Sequence, residues 1–221
     1  MRAMILAAGR GERMRPLSDV TPKPLLRAGG KSLIEHQLAA LCAAGLREIV
    51  VNLSWKGEML RAALGDGARY GVRIRYSEEG GEPLETGGGV AAALHLLGDG
   101  PFVVVSADVW SDYDFRACSE RLESTDVAHF VLTPNPDFHP HGDFGLEGAR
   151  VVDSEPRYTY ANIGVFRREF FSDCPAGKFP LAPLMFRWVR AGRVSGEVHR
   201  GGWRNVGTPQ QLAELDQALR R

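Results

Sequence analysis

Apolar runs of strand length alternate with helix-periodic stretches through the first third of this chain, and that alternation narrows the fold more than any other feature. Met4-Ile5-Leu6-Ala7-Ala8 reads as a buried strand, as do residues 48–53 (EIVVNL) and 73–77. Between the first two, Leu33, Ile34, Leu38, Leu41 and Cys42 recur with the helical period, predicting a helix over residues 33–44. Ser32 with Glu35 reads as a capping box at its start, and Gly45 closes it. Residues 56–64 form a shorter amphipathic helix. Strand, helix, strand, helix, strand at this spacing predicts right-handed crossovers and a parallel sheet. In such sheets ligands sit beyond the carboxyl ends of the strands.

The loop after the first strand is built for an anion. Gly9-Arg10-Gly11 breaks the strand, and glycines there let backbone N–H groups approach phosphate oxygens. Arg10, Arg13, Arg15 and Lys23 add cations, and Pro16, Pro22 and Pro24 stop a helix from running through. The expectation is a long, extended, basic loop. Two common phosphate motifs do not fit. The dinucleotide fingerprint needs a third glycine where Met14 stands, and the Walker A pattern ending at Gly30-Lys31-Ser32 begins with Leu25.

Composition bounds the rest. With 27 basic and 27 acidic residues there is no global field to hold a nucleic acid or an anionic membrane, so neither is expected as a partner. The 221 residues suit one α/β domain, with a nucleotide half near 1–110 and a second half near 111–221. Cys42, Cys118 and Cys174 are far apart and odd in number, which argues against a disulfide framework or a zinc site and for a reducing compartment. No apolar run reaches the roughly 20 residues of a membrane span, and the amino-terminal residues lack a signal-peptide pattern, so a cytoplasmic protein is expected. Asn52-Leu53-Ser54 matches a glycosylation sequon that such a location would leave unused.

Further along, Gly87-Gly88-Gly89 precede a helical pattern over residues 90–97, which places bare backbone at a helix start with Thr86 as a cap. Phe102-Val103-Val104-Val105 runs towards Asp108, a carboxylate facing the site, where magnesium favours one or two carboxylates plus phosphate oxygens. Asp112 or Asp114 can cap the turn that follows. Residues 127–133 read as a strand, and 135–148 as a loop and a tight hairpin. His139 and His141 with Asp137 and Asp143 read as solvated side chains rather than a metal cluster. Residues 158–166 form a strand, and 181–191 a helix with Met185 and Trp188 in the core. Thr208 and Pro209 start a final helix to Arg221.

Ala7-Ala8-Gly9-x-Gly11-x-Arg13-Met14-x-Pro16, followed by Pro22-Lys23-Pro24, resembles the signature of the sugar-1-phosphate nucleotidyltransferases. Leu84-Glu85-Thr86-Gly87-Gly88-Gly89 is similar to the N-acetylmuramate-1-phosphate uridylyltransferase branch, which works in cell-wall recycling. The resemblance implies an α/β, Rossmann-like, mostly parallel mixed sheet flanked by helices. It implies that UTP and a sugar 1-phosphate meet in line and release pyrophosphate. Ala7, Ala8, Gly9, Gly11, Gly87 and Gly88 would then hold the nucleotide. Arg13 would hold the leaving pyrophosphate, and Lys23 the α-phosphate. Glu85, Thr86, Gly145, Glu155 and Asn162 would line the sugar site. Mg2+ would sit on Asp108 and on Asn205, the latter in Trp203-Arg204-Asn205-Val206-Gly207-Thr208-Pro209. Two departures stand out. Glu12 replaces a common Ser or Thr, and the segment Ser154-Glu155-Pro156-Arg157 lacks the sugar-phosphate Lys, leaving Arg157 or Lys178 as substitutes. A monomer or weak homo-oligomer is expected, without the β-helix domain of some relatives. GTP, CTP or dTTP in place of UTP, phosphocholine in place of the sugar phosphate, and a non-catalytic nucleotide-sugar sensor are the competing readings.

Overall fold

The computed structural model describes residues 1–118 and 121–220. The chain begins with β1 (Arg2–Leu6), a short α1 (Leu17–Val20), the small hairpin β2 (Arg27–Ala28) and β3 (Lys31–Ser32), and α2 (Leu33–Ala43). It continues through β4 (Glu48–Leu53), α3 (Gly57–Leu64), β5 (Arg73–Glu78), α4 (Glu85–Leu97), β6 (Phe102–Ser106) and β7 (Val109–Ser111). The second half holds β8 (Ala128–Thr133), β9 (Phe144–Glu147), β10 (Arg150–Val152), β11 (Arg157–Phe166), α5 (Ala182–Arg190), β12 (Val194–Val198), β13 (Trp203–Asn205) and α6 (Pro209–Leu219). The expected end of the last helix at Arg221 lies outside the described residues.

One sheet of 9 strands runs through both halves in the order β5-β4-β1-β6-β11-β8-β12-β10-β9. Only β10 and β11 run against the other strands, so the sheet is mixed and mostly parallel, as expected. β9 also pairs with the start of β11, which closes the second half into a small ring of strands. Alternation along β1 separates two cores. Ala3 and Ile5 pack with Ile34, Leu38 and Leu60 on the α2–α3 face. Met4 packs with Val90, Ala93, Phe102 and Phe166 on the α4 face. Glu35 reaches back to the Ser32 N–H at 2.7 Å, and Thr208 Oγ1 accepts from the Gln211 N–H at 3.3 Å, so both expected helix starts form.

The basic loop differs from the expectation. It is not extended but folds into α1 and two 3-10 turns, Glu12–Met14 and Lys23–Leu25. Proline is tolerated in a helix's first turn, so Pro16 and Pro24 sit at the starts of these short turns and divide the loop. Met14, fully buried with Leu33, Val206, Leu212 and Leu215, pins the loop to α6. Among the described residues no helix is long and apolar enough to cross a membrane.

Candidate active site

The order β5-β4-β1-β6 places β1 beside β6, and a cleft of about 300 Å3 opens beyond their carboxyl ends. Ala7, Ala8, Gly9, Gly11, Arg13 and Lys23 line it from the loop after β1, and Asp108 lines it from the turn after β6. Gly11 adopts φ 65°, and a Cβ there would lie 3.1 Å from the Lys23 Cβ. Only a residue without a side chain lets the loop close this tightly on Lys23. Lys23 Nζ donates to Asp108 Oδ2 at 2.5 Å, with the lysine side chain 12% exposed and the aspartate 32%. The Arg13 guanidinium lies against Gly207, where an added Cβ would be 3.3 Å away.

Asn205 is held on the backbone segment beside this turn by strand pairing, and its side chain lines the second cavity described below. β7 and β13 form a two-stranded ribbon with Asn205 opposite Val109, and the Val206 N–H donates to the Asp108 carbonyl at 2.8 Å. Asp108 and Asn205 thus stand on neighbouring backbone segments. Among the described residues no group of three or more His, Cys, Asp or Glu side chains could by itself hold a metal. One carboxylate and one amide oxygen suit a small hard cation that takes its other ligands from phosphate and water.

A buried polar chain braces the cleft, and sequence reasoning missed it. The Ala7 N–H donates to Asn52 Oδ1 at 2.7 Å, Asn52 Nδ2 donates to Glu79 Oε1 at 2.5 Å, and the Leu84 N–H donates to Glu79 Oε2 at 2.8 Å. It ties the ends of β1, β4 and β5 to the start of α4. The available signal was a lone Asn in the apolar run Ile49-Val50-Val51-Asn52-Leu53. Asn52 is only 3% exposed, which also removes the sequon as a modification site.

A second cavity of about 570 Å3 adjoins the first, and Glu85 and Thr86 line both. Asn162, Asn205, Tyr160, Trp203, His139 and Asp143 also face this cavity. Asn162 sits in a bulge: β11 shifts register against β8 between Tyr160 and Ile163. Its φ is 56°, a conformation Asn tolerates better than most residues. The bulge takes Asn162 out of the ladder and re-aims its side chain. Trp203 Nε1 donates to the other bulged residue, Ala161, at 3.0 Å, which fastens the ribbon to β11.

Several expected roles need correction. Gly87, Gly88 and Gly89 lie inside α4, which starts at Glu85, so Thr86 is helical and does not cap. A Cβ on Gly87 would lie 2.5 Å from the Phe179 ring, and one on Gly88 would lie 2.2 Å from the Gly177 carbonyl. The Gly88 N–H donates to the Phe179 carbonyl at 3.0 Å, so these glycines admit a neighbouring loop, and neither lines the cleft. Gly145 is likewise a packing position, 2.3 Å from the Ser154 carbonyl if given a Cβ. Glu155 lies apart from both cavities, 77% exposed and paired with Arg157. Arg157 is committed to Asp153 at 3.1 Å, and Lys178 is exposed; neither lines a cavity. Glu12 is exposed and also outside the cleft. Asp114 caps the turn after β7 by accepting from the Arg116 N–H.

The nucleotidyl transferase family matches this sequence over residues 2–221. The chain belongs to that family. An N-acetylmuramate alpha-1-phosphate uridylyltransferase from Neisseria meningitidis is 48% identical over 99% of this chain and 98% of its own length. One from Caulobacter vibrioides is 37% identical over 94% of this chain and 92% of its own. Among solved structures, a putative glucose-1-phosphate thymidylyltransferase from Bacillus anthracis superimposes with a TM-score of 0.88 at 20% identity, covering 100% of this chain and 95% of that one. That level of identity speaks to fold alone. The two adjoining cavities share Glu85 and Thr86 as a common border. The site brings together Ala7, Ala8, Gly9, Gly11, Arg13, Lys23, Glu85, Thr86, Asp108, Asn162 and Asn205.

Proposed function

We propose that the protein joins UTP to N-acetylmuramic acid 1-phosphate, forming UDP-N-acetylmuramic acid and pyrophosphate in peptidoglycan recycling. The observation that carries this is the pair of joined cavities with Lys23 and Asp108 in contact on the phosphate side. The choice of base and sugar follows the full-length similarity to the Neisseria and Caulobacter enzymes.

In this reading the first cavity takes the nucleotide and the second the sugar. An oxygen of the sugar phosphate attacks the α-phosphorus of UTP in line. The protein's task is to position two anions and neutralise their charge. The loop amides around Gly9 and Gly11 receive phosphate oxygens. Lys23 neutralises charge growing at the α-phosphate, and Arg13 holds the departing pyrophosphate. Asn162 orients the sugar from its bulge. Asp108 and Asn205 would hold magnesium, which supplies positive charge to the phosphates when bound.

The chain acts here as one domain, with a nucleotide half near 1–110 and a sugar half near 111–221. Both cavities are lined by residues of one chain, so a monomer or weak homo-oligomer suffices. A cytoplasmic location agrees with the free thiols of Cys42, Cys118 and Cys174.

The test is pyrophosphate release with UTP, magnesium and each of three sugars: N-acetylmuramic acid 1-phosphate, N-acetylglucosamine 1-phosphate and glucose 1-phosphate. A strong preference for the first is expected, along with loss of release on chelating the metal. Turnover favouring another sugar, or another nucleoside triphosphate, would reject the assignment while leaving the chemistry in place.

A further inference from the structure

The second cavity contains an aspartate–histidine pair that the transfer chemistry leaves without a task. His139 Nε2 meets Asp143 Oδ1 at 3.1 Å, and the Tyr160 N–H holds Asp143 Oδ2 at 2.8 Å. The Asp143 backbone is fixed too, its N–H donating to the Tyr158 carbonyl at 2.7 Å. Asp143 is therefore a rigid support that sets the orientation of the His139 ring. The ring is 39% exposed and faces the cavity beside Phe138. Nε2 faces Asp143, which leaves Nδ1 as the ring nitrogen to meet whatever fills the space.

Charge gives this arrangement its meaning. Among the described residues that line this cavity, His139 is the one side chain able to carry positive charge, while Glu85 and Asp143 are acidic. Arg157 approaches Asp143 only from behind, 3.4 Å from its carbonyl, and does not line the space. A neutral hexosamine ring needs no cation here. A muramic acid differs from the hexosamine by an ether-linked lactyl group that ends in a carboxylate. An anionic substituent of this kind, taken from water into an apolar-walled pocket, needs a charged donor.

We infer that His139, held by Asp143, binds the lactyl carboxylate and selects a carboxylate-bearing sugar 1-phosphate over the unsubstituted hexosamine. The inference rests on the reading above that the sugar is a muramic acid. His139 touches substrate and determines specificity; Asp143 is a positioning residue.

The experiment compares kcat/KM for N-acetylmuramic acid 1-phosphate with that for N-acetylglucosamine 1-phosphate, at saturating UTP, in the wild type, His139→Gln and Asp143→Asn. The ratio of the two is expected to fall about 10- to 100-fold in His139→Gln, the size of one charge-assisted hydrogen bond. The loss should enter through KM for the muramic substrate. Asp143→Asn should lower the same ratio by a smaller factor. Thermal midpoints taken alongside show whether either variant stays folded, and the exposure of His139 makes its variant the secure one. An unchanged ratio in folded His139→Gln would overturn the inference and leave the proposed function standing. Equal losses on both sugars would also overturn it, because His139 would then serve the shared phosphate. A wild type that does not prefer the muramic substrate would reject the functional reading, and this inference with it.

Discussion

Lys23 and Asp108 carry opposite charges in one contact, yet the proposed reaction would give them different partners. The ammonium sits 2.5 Å from the carboxylate and is nearly buried. Under the proposed function a triphosphate in the cleft would give Lys23 phosphate oxygens in place of water, in a space where charge is poorly screened. Its contribution would then grow as negative charge develops on the α-phosphate, which is the condition for raising kcat rather than only affinity. Lys23→Ala is expected to lower kcat roughly 100- to 1000-fold. It should cost about 1 kcal/mol or less of stability, because the partly exposed Asp108 regains water. Asp108→Ala should reduce turnover comparably. It should destabilise more, by about 1–3 kcal/mol, since it strands a nearly buried ammonium. Steady-state kinetics and denaturant midpoints on both variants separate these effects. Wild-type kcat in either folded variant would remove that residue from the mechanism.

At the level of elements, α4 departs most from what its sequence suggests. Three successive glycines weaken a helix, and local propensity alone places them in a loop. Tertiary packing reverses this, because the Gly177–Phe179 backbone lies too close for any Cβ. Gly88→Ala is expected to cost about 1–3 kcal/mol, the range for forced overpacking, despite the better helix propensity of alanine. Gly81→Ala, in the loop before α4 with nothing within 4 Å, should be close to neutral. Urea midpoints for the two variants check this, and equal effects would show that propensity rather than packing decides. The same contrast explains how much of the site could be read in advance. The residues around Gly9, Gly11, Arg13, Lys23 and Asp108 were legible because strand ends and phosphate loops have local grammar. Asn162 lined its cavity as expected, although the bulge that places it depends on β11 pairing with β6, β8 and β9 along different parts of its length. Asn52 and Glu79 act through contacts between distant segments, which spacing does not reveal; His139 and Asp143 are only four residues apart, but the cavity that gives the pair a place is built from β11, α5 and β13. Glu155 and Gly145 line neither cavity for the converse reason: a motif position gave their neighbourhood, but ion pairing and strand packing set their contacts.

At the scale of the whole molecule, the two halves share structure that neither could complete alone. β6 and β11 pair from Val105 opposite Ile163 to Phe102 opposite Phe166. One core joins Ala3, Ile5 and Ile49 to Val131, Ile163 and Val165, and the other joins Met4 and Val104 to Phe130 and Phe166. Separating the halves would expose both apolar faces of β6 and open its edge. The expected result is one cooperative unfolding transition. The 4 tryptophans make it observable, since Trp55 lies in the first half, Trp188 in the second, and Trp110 and Trp203 pack where the two meet. Tryptophan fluorescence and far-ultraviolet circular dichroism should give superimposable urea curves. UTP with magnesium, bound beside the first half, should move the entire curve, by about 2.7 kcal/mol at a free ligand concentration of roughly 100 times Kd. Two resolved transitions, with ligand shifting only one of them, would show that the shared sheet does not couple the halves. In that case the cleft would be assembled by docking two independent units, and the geometry around Asp108 and Asn205 would depend on ligand to form.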